Sequence, residues 1–74
     1  MHDKIKTEIE SEYRDKSFIT LLYEQVELNH LHQTASVAFL LNQYRSENDI
    51  LYLRFLSEKI KILYSIIEEK KHGN

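Results

Sequence analysis

Glu27 and His30 are the two side chains whose types and spacing could begin a metal site. Residues three apart share a helix face, so Glu27-Leu28-Asn29-His30 turns a carboxylate and an imidazole the same way. Carboxylate-rich metal centres in helical bundles add further glutamates from facing helices. The segment expected opposite offers Leu63, Tyr64, Ser65 and Ile66 instead. Only Glu8, Glu10 and Glu12 remain, and they lie in an N-terminal segment of unknown position. The spacing assigns no metal, no cofactor and no catalytic residue. A metal-binding bundle or metal-dependent helical-bundle enzyme built on Glu27 and His30 is the alternative reading. His30 and His32 stand about 200° apart around a helix, so they cannot grip one ion. His2 and His72 are terminal, and the chain has no cysteine to supply thiolate ligands.

Glu24-Gln25-Val26-Glu27 is a second carboxylate pair. It resembles the first half of the magnesium motif of all-α nucleotide pyrophosphohydrolases, whose second half is a later Glu-x-x-Asp. Here the last aspartate is Asp49, and Ser46 stands three residues before it. The resemblance covers four residues, and the pair reads as solvated surface. Arg54, Lys59 and Lys61 make a modest basic strip that Glu58 interrupts. Such a strip is not a nucleic-acid footprint, so a nucleic-acid-binding regulator is a second alternative. The eight aromatic residues are spread through helical patterns and fit packing better than base stacking.

Composition narrows the frame that holds these residues. Seventy-four residues allow one domain with a small core. Without disulfides, such a chain is expected to gain stability by self-association or from a partner. Proline is absent, and Gly73 is the one glycine. A small strand-rich fold needs turn residues, so the class is all-α. Net charge is −2, and neither half is strongly basic. No apolar run opens the chain, and the cytoplasm is the expected compartment.

Leu28 to Tyr44 carries no formal charge, although acids and bases make up 30% of the chain. The stretch contains Asn29, His30, His32, Gln33, Asn42 and Gln43, which are costly in lipid, so a membrane span is not expected. A soluble helix without charges is expected to be covered on most sides.

The pattern predicts an N-terminal helical arm over about 3–14, with Ile5, Ile9 and Tyr13 on one thin stripe. Asp15-Lys16-Ser17 is a candidate break, with Ser17 as N-cap, although a continuous helix is also compatible. A second helix should run over about 17–45 with two apolar faces. One carries Ile19, Leu22, Tyr23, Val26, Val37, Leu40, Leu41 and Tyr44. The other carries Leu21, Leu28, Ala35 and Phe39. A turn at about 46–48 leads to a third helix over about 49–71. Its seam, Leu53, Leu56, Ile60, Leu63 and Ile67, steps by three and four, and Phe55, Ile62 and Ile66 flank it.

A short turn makes the second and third helices an antiparallel hairpin. Centring it between 46 and 47 sets Leu40 opposite Leu53, Val37 opposite Leu56 and Val26 opposite Ile67. Between them, Asn29 meets Tyr64, His30 meets Leu63 and Gln33 meets Ile60. Asn29, His30, Gln33 and Tyr64 are thus expected to form a polar layer that selects one assembly. The core and interface set is Leu28, Ala35, Phe39, Leu53, Leu56, Ile60, Leu63 and Ile67. The reading is a hairpin with a helical arm, dimerising into a four-helix bundle. The expected function is non-enzymatic: a small interaction or regulatory protein acting on a second copy and on a protein partner.

Overall fold

The structure, a computed structural model, describes residues 3–41 and 46–73. They form three helices and, among the described residues, no strand: α1 (Asp3–Arg14), α2 (Phe18–Leu41) and α3 (Glu47–His72). The expected continuation of the second helix through 42–45, with Tyr44, lies outside the described residues, as does His2.

Each break has a local cause. The Thr20 backbone N–H donates to Ser17 Oγ at 3.2 Å, so Ser17 caps α2 and the chain does not run on as one helix. Ser46 caps α3 through a reciprocal pair. Asp49 N–H donates to Ser46 Oγ, and Ser46 N–H donates to Asp49 Oδ2, both at 3.2 Å. The third helix therefore starts at Glu47, two residues before the expected Asp49. At its other end, Gly73 N–H donates to Glu69 O at 2.7 Å with φ −106°, which is not the left-handed region. Glycine is needed there for closeness, since a Cβ would stand 2.7 Å from Glu69 O.

Arg14, ending α1, donates to Glu69 Oε1 at 3.2 Å, and Lys70 Nζ donates to Arg14 O at 3.1 Å. The ends of α1 and α3 are thus together, and the two helices run in the same sense. Between them α2 returns antiparallel. Helices α1 and α2 both pack on α3.

The core is Ile9 and Tyr13 from α1, Leu21 and Leu28 from α2, and Leu56, Ile62, Leu63, Ile66 and Ile67 from α3. Ala35 and Ile60 pack against it. All of it lies toward the end of the hairpin where α1 docks. At 12 residues α1 spans about 18 Å, against about 39 Å for the 26 residues of α3. The apolar strip of α3 is therefore covered at Ile62 and Ile66, while Phe55 on the same strip stays 42% exposed. Among the described residues between Leu28 and Leu56, none is buried.

The packing face of α2 is not the one the hairpin register anticipates. Leu21 and Leu28 are buried and Ala35 and Phe39 half-buried, so their face meets α3. Val26, Val37 and Leu40, expected opposite Ile67, Leu56 and Leu53, point away and are exposed. The reason is that α2 is apolar nearly all round, so both faces can serve. Its only charges are Glu24 and Glu27. The face with Leu21, Leu28, Ala35 and Phe39 goes inward, with Gln25 and His32 half-buried along it, while Asn29, His30 and Gln33 stay exposed on the other.

Candidate interaction surface

The outer face of α2 is the most unusual surface of the molecule. Ile19, Leu22, Tyr23, Val26, Val37, Leu40 and Leu41 are all exposed, Tyr23 by 74% and Leu41 by 80%, while Leu21 on the inner face is fully buried. No charged side chain lies among them. Glu24 turns to the flank, where Lys16 Nζ binds it, and Glu27 stands at the edge. In the middle, His30, Gln33, Thr34, Val37, Ala38 and Leu41 line a shallow depression.

The anticipated polar layer lies on this face. Asn29, His30 and Gln33 are exposed, and so is Tyr64. They do not interrupt the contact between α2 and α3, which corrects the face of α2 expected to pack. The anticipated core positions divide by height along the hairpin. Leu28, Leu56, Leu63 and Ile67 are buried, Ile60 and Ala35 lie at the edge of the core, and Phe39 and Leu53 are half-buried near the turn. Above α1, Ala35, Ala38, Phe39, Asp49, Tyr52 and Leu53 line a cavity of about 230 Å³ between α2 and α3. Ile50, Leu51, Tyr52 and Phe55 are exposed beside it.

The candidate chemistry disperses. Glu27 and His30 are both exposed, and among the described residues no group of three or more His, Asp or Glu side chains is placed to hold a metal. The Glu24–Glu27 pair is split, because Glu24 is engaged by Lys16. The basic strip is also occupied: Lys61 pairs with Glu58 at 3.7 Å, and Lys59 lies 5.5 Å above the Phe55 ring. Among the described residues, no helix is long and apolar enough to cross a membrane.

One buried polar atom stands out. Tyr13 is 2% exposed, and its hydroxyl has no hydrogen-bond partner. Burial first, then the charges of Glu24 and Glu12, push its pKa up to about 12. The phenol ring carries Lys16 Nζ 5.7 Å from its centre. Hydrogen bonding to Glu69 raises the pKa of Arg14, and hydrogen bonding to Glu24 raises that of Lys16. The Arg14–Glu69 pair is exposed and orients α1 more than it stabilises it, whereas the Lys16–Glu24 pair is part-buried and ties the α1–α2 link to α2.

The choice of α2 face was the feature missed by pattern alone. Polar interruption does not separate the two faces, since Gln25 and His32 lie half-buried on the inner one and Asn29, His30 and Gln33 exposed on the outer. The chain matches no family model, no curated protein and no solved structure.

Proposed function

We propose that this protein is a small, non-enzymatic cytoplasmic interaction protein, whose working surface is the outer face of α2 and whose first partner is a second copy of itself. One observation carries the reading: seven large apolar side chains, with no charge among them, are exposed along a single helix. Monomeric soluble proteins rarely leave so long an apolar surface in water. A second copy would cover it and gather the four long helices into one bundle, with each α1 on the flank. The polar residues on this face would then act as a device for choosing partners, since their burial is tolerated only where their hydrogen bonds are met.

Light scattering on the purified protein at tens of micromolar tests this. A mass about twice the 8.9 kDa chain mass is expected. Val26→Asp combined with Leu40→Asp should return the single-chain mass without loss of helical circular dichroism. A clean monomer for the unmodified chain overturns the proposal.

A further inference from the structure

The outer face of α2 is a continuous heptad seam that α3 does not use. Ile19, Tyr23, Val26, His30, Gln33, Val37 and Leu40 follow one another by alternating steps of four and three. That spacing keeps one stripe facing a partner helix. Every one of the seven is exposed. Helix α2 has 24 residues, so the stripe runs along a rod of about 36 Å.

The seam also reads the same in both directions. Reversed about the point between Leu31 and His32, Val26 falls on Val37, Tyr23 on Leu40 and His30 on Gln33. The flanking residues follow, Leu22 falling on Leu41. A symmetric dimer needs a surface in which residue i meets j and j meets i. This face meets that condition in an antiparallel pair, with apolar on apolar and polar on polar at each level.

Resting on the proposed self-association, we infer that two copies pair through α2 in antiparallel register, Val26 of each against Val37 of the other and His30 of each against Gln33 of the other. The Gln33 amide both donates and accepts, so it can serve either tautomer of the facing imidazole. The depression lined by His30, Gln33, Thr34 and Val37 has the i, i+3, i+4, i+7 outline of a hole that receives one knob. In this register it receives His30 of the second copy, and the adjoining part by Ala38 and Leu41 receives Val26.

Charge and size separate this arrangement from a parallel one. A parallel pair sets the two Glu27 side chains at one level. The antiparallel pair moves them about 13 Å apart along the axis, beyond the Debye length in physiological salt. A parallel pair also stacks Tyr23 on Tyr23 and His30 on His30, whereas the antiparallel one sets each tyrosine against a leucine and each imidazole against an amide. About nine side chains a copy is small beside the 20–30 of a standard interface, which places the pair among the weaker, smaller contacts.

Disulfide trapping tests the register, because the chain has no cysteine of its own. Val26→Cys and Val37→Cys chains are prepared separately, checked for helicity, then oxidised alone and as a mixture at tens of micromolar. The mixture should give a covalent dimer containing one chain of each kind, while neither variant alone should link. In the antiparallel pair the two copies of position 26 lie about 16 Å apart along the axis, too far for a bridge. Self-linking of Val26→Cys overturns the antiparallel register in favour of a parallel one. A dimer by light scattering without the mixed link overturns the register while leaving self-association standing. A monomer overturns both.

Discussion

The two ends of the α2–α3 hairpin use similar residues and reach different states. At the end where α1 docks, three helices meet and nine side chains are buried. Toward the turn, two helices meet, and Ile50, Leu51, Tyr52 and Phe55 remain exposed. Hydrophobicity does not separate the ends, since both are rich in leucine, isoleucine and aromatics. The presence of α1 does. Two helices touch along a line and leave their flanks wet, whereas a third encloses a volume. On α3, burial follows how far α1 reaches, whereas the outer face of α2 is exposed at both ends.

The sharpest way to break that comparison is a matched pair of truncations. Leu63→Ala, at a fully buried position of the three-helix end, should cost about 2–5 kcal/mol. Leu51→Ala, in the two-helix half, should cost less than about 1 kcal/mol. Urea midpoints read both, and equal losses would show that the two ends are equally packed.

A smaller effect is expected at the turn. With little packing there, the start of α3 depends on local hydrogen bonds, and Ser46→Ala removes the cap from Asp49 N–H. A loss of about 1 kcal/mol is expected, with fraying confined to the first turns of α3. Amide hydrogen exchange at residues 47–52 checks the location, and faster exchange spread through residues 62–67 would contradict it.

The smallest effect belongs to the three-helix end. Tyr13→Phe keeps the ring and removes the unpartnered hydroxyl, so stability should be unchanged or rise by up to about 1 kcal/mol. The pH profile is more telling. The phenol titrates near 10 when unfolded and near 12 when folded, so its neutral form is the one the fold favours. That preference is harmless below pH 10, and stability is lost as pH rises through 12. The phenylalanine variant should show a shallower decline across this window. Parallel denaturation curves for the two proteins would mean that Tyr13 is in contact with water.

Helix number and breaks were legible because they rest on local chemistry. Ser17 and Ser46 are good caps at the two places where apolar periodicity pauses, and the chain lacks glycine or proline for anything but helices. The inward face of α2 was not legible. Periodicity reports how many apolar faces a helix has, and α2 has two. Choosing between them takes the shape of α3 together with the polar residues of each face, Gln25 and His32 on the inner and Asn29, His30 and Gln33 on the outer. The different fates of Ile62 and Phe55 were hidden for a related reason, since nothing local to α3 records where α1 stops. The Glu27–His30 spacing was plain in the sequence, but a metal site is completed by donors from elsewhere, which only the tertiary structure can supply.

The placement of the core along the chain also sets an order of events. Ile62, Leu63, Ile66 and Ile67 are four of its nine members, and they are translated after all of α1 and α2. At about 5–20 residues per second, roughly one to five seconds separate Leu41 from Ile67 on the ribosome. During that interval α1 and α2 lack the surface on which both of them pack. The nascent chain then presents a long uncharged segment with its intramolecular partner still unmade. Neighbouring ribosomes on one message would bring such segments close together, so the pairing proposed above would have its first opportunity before either copy has closed its own core.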